Sequence, residues 1–478
     1  MLKLEKEVIQ GGMGAGVSNF RLARKVSSRG GLGVVSGTAL DTIMVRRLQD
    51  HKLDVELIFA LENFPDKKLT QKIIDKYFKK GRKSKTAKYH PAPYPRFKQD
   101  SKGILSLKDS SRGPNLEELL IVSNFVEVFL AKQGHSNPVG INYLHKIQWP
   151  LMPSIYGAMI ADVDVVLIGA GLPKEIPEVM ENISEGKNSK ISIPVIDGKD
   201  YLLEFDPKVL SEQPKLDIPF FLGIVSNHLG VKAVPQSDGY VFEGEIAGGH
   251  NAPARSKELN EKGEPNYGKK DEIDEGKLNM LLGQNSQRKN NTIQPYWLAG
   301  GYANKLNEAL EMGADGIQVG TPFAFSRESG IEPKLKRKVI QEIMGGTEAH
   351  TSPIASPTGF PLKVVQVKDT LSQKEIYDER ERICNLGYLV ELYERDGEVD
   401  TRCPADDLER YEKDGGNVED TIDKVCLCNA LTSTVGLGSP GEVPLVTSGS
   451  DFSVVKALVK EHGIDYGVED VMRYILKS

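Results

Sequence analysis

The sequence predicts an α/β fold: a (β/α)8 barrel of the TIM type, enlarged by insertions and followed by a smaller, mainly helical C-terminal domain. Three observations predict it. Short apolar, β-branched runs recur along the first 330 residues and end at glycine, asparagine or serine. Helical stretches follow most of them, which is the βα pattern of a parallel sheet buried on both faces. Eight such runs are present, the number that closes a barrel of about 250 residues before insertions.

Taken in order, the runs are Val8-Ile9-Gln10, Gly33-Val34-Val35-Ser36, Val139-Gly140-Ile141-Asn142 and Val163 to Ile168. The later four are Phe220 to Ser226, Tyr240-Val241-Phe242-Glu243, Tyr296-Trp297-Leu298-Ala299 and Gly316-Ile317-Gln318-Val319. Helices are expected over Asn19 to Arg29, Leu116 to Lys132 and Asn304 to Met312. The first run is short, so a count of seven strands and an open doubly wound sheet remain alternatives.

The surplus length falls into three insertions within a barrel domain of residues 1–345. The insertion 63–114 contains Lys76 to Lys98, with nine basic residues and no acid, read as an anion-binding arm or a solvated loop. In 185–218, alternating runs flank Asp197-Gly198 and predict a hairpin. The polar segment 251–294 follows a strand end directly, so in a barrel it lies over the C-terminal face as a lid candidate. From 346 the βα rhythm stops, and residues 346–478 are expected to form a second domain, a helical cap or a dimer surface.

Composition removes several functions. Among 478 residues, 61 Lys+Arg against 67 Asp+Glu leave a net charge of −6, without the basic excess of a nucleic-acid binder. No run approaches the ~20 apolar residues of a membrane helix, and the N-terminus lacks a signal peptide's apolar core, so a cytoplasmic protein is expected. The four cysteines, Cys384, Cys403, Cys426 and Cys428, all lie after residue 380. Their spacing lacks the C-x2–4-C knuckle of zinc sites, so they are weak metal candidates and no metal is expected.

Glycine marks the expected site. Gly11-Gly12-Met13-Gly14-Ala15-Gly16 joins the first strand to a helix. It fails the G-x-G-x-x-G dinucleotide fingerprint and reads as a tight turn or as a loop approaching a flat ligand. Strand seven ends at Gly300-Gly301 and strand eight at Gly320-Thr321-Pro322. Loops after the last two strands of a barrel commonly hold phosphate, where backbone N–H groups can approach an anion. Past strand six, Ala247-Gly248-Gly249-His250 puts a histidine on a glycine loop at the functional end. It is placed to move a proton near neutral pH, or simply to hydrogen-bond the loop.

Together, the Gly-Gly-Met start, Asn142, Ala247 to His250, Ala299-Gly300-Gly301 and Gly316 to Thr321 resemble the nitronate monooxygenase family, formerly called 2-nitropropane dioxygenases, which is related to FMN-dependent enoyl-acyl-carrier-protein reductases. The resemblance spans residues 5–330. It implies a barrel binding FMN, with Gly12, Met13 and Gly14 along the flavin ring and Asn142 bonded to it. Gly248 and Gly249 would let backbone approach the flavin, Gly300, Gly301, Gly320 and Thr321 would hold its phosphate, and His250 would act as base or orient the substrate. The implied reaction is oxidation of a nitronate or nitroalkane by O2; the alternative is an NAD(P)H-dependent enoyl-thioester reductase with acyl carrier protein as partner.

The family's acid directly before Ala-Gly-Gly-His is Ile246 here, with Glu245 one position earlier. Strand alternation would turn that carboxylate to the other face. Ser356 to Pro361 and the cysteine region resemble a longer subgroup of the family. An inosine-monophosphate-dehydrogenase-like barrel lacks its loop cysteine here, and a non-enzymatic barrel would not need His250 beside phosphate loops.

Overall fold

The computed structural model describes residues 4–50, 53–78, 87–108, 113–196, 198–211, 214–288 and 293–478. Its centre is a ring of eight parallel strands: β1 (Val8–Gln10), β2 (Gly33–Ser36), β3 (Val139–Leu144), β4 (Val165–Gly169), β5 (Phe220–Val225), β6 (Gly239–Glu243), β7 (Tyr296–Ala299) and β8 (Gly316–Val319). Their order is β1-β8-β7-β6-β5-β4-β3-β2. The ring closes where Gln10 donates to the Leu32 carbonyl and Leu32 to the Val8 carbonyl, both at 2.9 Å. All eight expected runs are strands, and the closure excludes the open sheet.

Apolar residues on both strand faces explain the ring. In β6, Tyr240 and Phe242 join an outer core with Leu298 and Val319, while Val241 points inward against Leu167, Leu222 and Trp297. The Trp297 indole donates to the Lys6 carbonyl at 2.7 Å and so occupies the N-terminal end of the barrel. The expected helices are present as Phe20–Ser28, capped by the Asn19 side chain, Leu116–Ala131, with Asn115 and Glu118 forming a capping box, and Leu306–Glu311.

The insertions form their own layers. In 63–114, the helix Lys67–Tyr77 precedes strands Phe97–Gln99 and Leu105–Leu107. Residues 79–86 of the basic stretch lie outside the described residues. In 185–218, Ser189–Ile193 and Tyr201–Phe205 pair antiparallel as expected, although the turn residue Asp197 also lies outside them. Leu105 pairs with Leu203, which joins the two insertions into one four-stranded sheet.

Residues 346–478 combine short strand pairs with helices Leu427–Thr434, Ser453–His462 and Val468–Ile475. They share both large cores of the barrel. Tyr388, Leu427 and Leu445 belong to the same core as Tyr143 and Ile155, and Val446, Val455 and Ile475 to the same core as Val26, Phe323 and Ile340. Among the described residues no helix is long and apolar enough to cross a membrane.

Candidate active site

Strand alternation builds the floor of the site. In β1–β8 the inward positions below the C-terminal end hold Ile9, Val34, Leu167, Leu222 and Val241. One step higher on the same face come Ser36, Asn142, Gly169, Ile224, Glu243, Ala299 and Gln318. All seven line one cleft at the C-terminal mouth, which encloses about 1680 Å³ including its opening. An apolar barrel interior thus ends in a layer rich in side-chain donors and acceptors.

The walls are the loops that follow the strands. Gly12, Met13, Gly14, Asn142, Gly248, Gly249, His250, Gly300, Gly301, Gly320 and Thr321 all line this one cleft. The first loop is held by Ser18, whose hydroxyl accepts from Met13 N at 2.9 Å and donates to the Gly11 carbonyl at 3.0 Å. Gly12 lies directly on Asn142, and a methyl group there would collide with the Asn142 Cβ. Gly300 and Gly301 have φ of +80° and +86°, conformations that glycine adopts without strain. Thr321 Oγ1 accepts from Gly449 N at 2.9 Å, keeping its own proton to donate.

The second wall comes from far along the chain. Thr447, Ser448 and Gly449 line the cleft, and a side chain at Gly248 would strike the Ser448–Gly449 backbone. Leu362–Val365 pairs antiparallel with Gly249–His250, carrying the segment from Ser356 to Pro361 onto the histidine loop. His250 Nε2 bonds Ser356 Oγ at 2.8 Å, and that hydroxyl meets Thr358 Oγ1 at 2.8 Å. Pro361 O accepts from Asn251 N at 2.9 Å. Ser356 and Pro361 thus both bond the histidine loop.

Burial sets the charge states. It holds the His250 imidazole well below its usual range, and the nearby Lys146 adds to the shift. Lys146 is pushed down to about 6 by burial; its Nζ has no hydrogen-bond partner and lies 4.5 Å from the centre of the Phe360 ring. Glu243 is pushed up to about 7, again by burial, and among the described residues its carboxyl group has no hydrogen-bond or ion-pair partner. Gln318 Oε1 is likewise buried and unpaired.

A second cleft of about 2070 Å³ adjoins the first and is lined by apolar groups such as Leu172, Leu229, Phe242, Ile273 and Phe360. The two share Ala170, Ile224, Glu243, Ile246, His250 and Gly300 among their walls. Asn251 to Pro253, Tyr267, Gly268 and Asp271 to Ile273 of the lid candidate line the second cleft. Tyr267 OH donates to the Ala252 carbonyl at 2.8 Å.

Glu245 and Ile246 differ from the simple strand argument. β6 ends at Glu243 and the chain turns, with Ala247 N donating to the Gly244 carbonyl at 3.1 Å, so alternation no longer applies. Ile246 faces both clefts and packs over Gly301, whereas Glu245 lines only the second.

Sequence reasoning named Glu243 and Gln318 only as parts of their strands and passed over Lys146 and the 447–449 loop. The signal for Glu243 was available, because it lies in phase with inward Val241 at the functional end of its strand. The four cysteines are free thiols. Cys384 and Cys403 pack together with Cys426 alongside, Tyr94 OH is 3.5 Å from Cys384 Sγ, and Cys428 touches the first cleft. Among the described residues no three His, Cys, Asp or Glu side chains are placed to hold a metal ion.

Fold and site define a closed (β/α)8 barrel with a glycine-walled ligand cleft at its C-terminal face. No protein-family model and no curated protein sequence matches the chain. Among solved structures, it is similar to FabK from Thermotoga maritima at 16% identity and a TM-score of 0.46, covering 99% of this chain and 92% of that one. Nitroalkane oxidase from Streptomyces ansochromogenes is similar at 14% and 0.39, covering 99% and 96%. The enoyl reductase domain of MlnA from Bacillus amyloliquefaciens is similar at 12% and 0.38, covering 78% and 68%. Likenesses this distant carry no function, and the barrel rests on its own strand order.

Proposed function

We propose that the protein is a flavin-dependent oxidoreductase that binds FMN and oxidises alkyl nitronates with O2. One observation carries the reading: a glycine-walled cleft over a floor holding Asn142, Glu243 and an unpaired Gln318, with a half-buried histidine at its rim. A flat heterocycle with polar edges suits this cleft. Gly12 leaves room against Asn142, and the unpaired Gln318 Oε1 offers an acceptor to a ring N–H. Gly300, Gly301, Gly320 and the Thr321 hydroxyl would hold the phosphate by backbone and hydroxyl donors. When bound, flavin supplies an electron acceptor for a carbanion-like substrate and passes the electrons on to O2.

The chain's own groups bind and orient the substrate. His250, kept neutral by burial and fixed by Ser356, presents a ring to the substrate without a competing charge. Lys146, held largely neutral near pH 7 by burial, would gain a proton more readily if a nitronate came near it, the Phe360 ring against which it packs being part of the second cleft's wall. The apolar second cleft takes the alkyl part and excludes water from the reacting end.

The test is anaerobic stopped-flow spectroscopy of FMN-loaded protein mixed separately with NADH, NADPH and propionate 3-nitronate. Rapid bleaching by the nitronate, with none by either nicotinamide, is expected. Fast reduction by NADH or NADPH instead would favour the reductase alternative and direct the search to enoyl thioesters. A protein that takes up no flavin would refute both.

A further inference from the structure

The four cysteines have no place in the proposed reaction, but their thiols are arranged in contacting pairs. Cys384 and Cys403 lie on either side of the hairpin Glu391–Arg395 and Glu398–Arg402 and are only 2% and 3% exposed. Asp406 clamps their backbones together: its carboxylate accepts from Cys384 N at 2.8 Å, and its own N–H donates to the Cys403 carbonyl at 2.9 Å. Cys384 Sγ then collects three donors, the Cys403 thiol, the Gly387 N–H and the Tyr94 hydroxyl at 3.5 Å. A buried thiol that merely fills space needs no donors, whereas a thiolate does. The Cys403 hydrogen bond, more than any other cause, holds Cys384 below the usual thiol range although burial opposes it, and the same bond pushes Cys403 up.

A second pair stands beside the first. The Cys426 thiol donates to Cys428 Sγ, Cys426 packs against the core that Cys384 and Cys403 form, and Cys428 lines the first cleft. The sulfurs therefore run from the cleft wall to the inner pair. Contact in pairs suits disulfide exchange, in which one sulfur attacks and its neighbour leaves.

We infer that the four cysteines form a peroxide-reactive dithiol site, in which oxidation that enters at Cys428 ends as a reversible Cys384–Cys403 disulfide. The inference goes beyond the flavin reading and does not depend on it. Hydrogen peroxide is the oxidant. Attack by the Cys428 sulfur breaks the O–O bond, leaves a sulfenic acid and releases water. Cys426 then forms an S–S bond with Cys428, and the departing hydroxide takes the Cys426 proton as a second water. The Cys384 thiolate attacks Cys426, and Cys428 leaves and takes the proton that Cys384 gave up. Cys403 attacks Cys384 in turn, passing its proton to the departing Cys426. In total two thiols lose two electrons and two protons, and one peroxide becomes two waters. The product closes the segment 384–403, which carries Tyr388 and Leu389 of the first cleft's wall.

The experiment adds hydrogen peroxide in small molar excess to the reduced full chain, blocks the remaining thiols with N-ethylmaleimide in denaturant, and maps linked peptides by mass spectrometry. Expected is a fall from four free thiols to two, a link between Cys384 and Cys403, and a return to four with dithiothreitol. Cys428→Ser should slow the loss about 10-fold, and Cys403→Ser should trap a Cys384–Cys426 link. Four thiols that persist, single cysteines that gain two or three oxygens without a link, or a link between chains would each overturn the inference. So would a chain that carries a bound zinc or iron ion whose removal alone makes the thiols reactive, because the cysteines would then be metal ligands. Flavin uptake and nitronate turnover are read separately and bear only on the functional reading.

Discussion

Within this site, burial acts on three ionisable side chains and in each case favours the uncharged form. Glu243 rises to about 7, Lys146 falls to about 6, and His250 falls well below its usual value. Such groups carry a stability signature as well as a chemical one. A carboxyl group raised from 4.5 holds its proton in the folded state, so its contribution is complete below pH 4.5 and is lost as pH rises through about 7. Wild type should therefore fall behind Glu243→Gln in urea unfolding as pH rises, by up to about 3 kcal/mol at pH 8 and by little at pH 4. Lys146→Met removes a like charge from beside His250, so the imidazole pKa measured by NMR should move upward while staying below the exposed value, because burial is the larger cause. Ser356→Ala takes away the hydroxyl that fixes the ring, and a loss of about 1 kcal/mol of stability is expected by thermal melting, with a lower kcat.

At the scale of elements, the strands were legible because a barrel strand buried on both faces must be an apolar run, and glycine at its end marks where backbone approaches a ligand. Gly12, Gly300 and Gly320 follow from that rule alone. What could not be read was contact between distant segments. Nothing in Thr447-Ser448-Gly449 announces that it closes the wall opposite Gly248, and nothing in Ser356 announces a bond to a histidine 106 residues earlier. These contacts arise from antiparallel pairing of Leu362–Val365 with Gly249–His250, a register that two short segments do not specify by pattern. The close approach makes a sharp prediction. Gly248→Ala must push the 447–449 loop off the mouth, since the new methyl group meets backbone that cannot rotate away. A fall of more than 10-fold in FMN affinity by fluorescence titration is expected, whereas Gly268→Ala, with open space around it, should leave affinity unchanged.

For the whole molecule, the question is whether residues 346–478 ride on the barrel or complete it. Their apolar side chains belong to the two cores that cover the barrel's outer face, so removing them would strip Val26, Phe323 and Ile340 of part of their packing. The strongest polar tie is Arg46, on the helix Leu40–Leu48, to Glu442: Nη1 lies 3.0 Å from Oε2, with side-chain exposures of 4% and 8%. Arg46 also donates to the Leu437 carbonyl at 2.6 Å, and Glu442 accepts from Ser439 N at 2.7 Å, so the pair anchors the 437–442 turn against the barrel. Desolvating two charges nearly cancels their attraction, but removing one partner strands the other. Glu442→Gln is therefore expected to lower stability by about 3–5 kcal/mol, while the double variant Arg46→Met with Glu442→Leu should lose far less. Denaturant unfolding of the full chain in a Trp149→Phe background, which leaves Trp297 as the single tryptophan, measures both by fluorescence. Trp297 sits inside the barrel, so its signal reports on the barrel itself. If the C-terminal residues complete the fold, breaking the Arg46–Glu442 tie shifts that barrel signal in one cooperative step. If they formed an independent cap, the indole would unfold at its original midpoint.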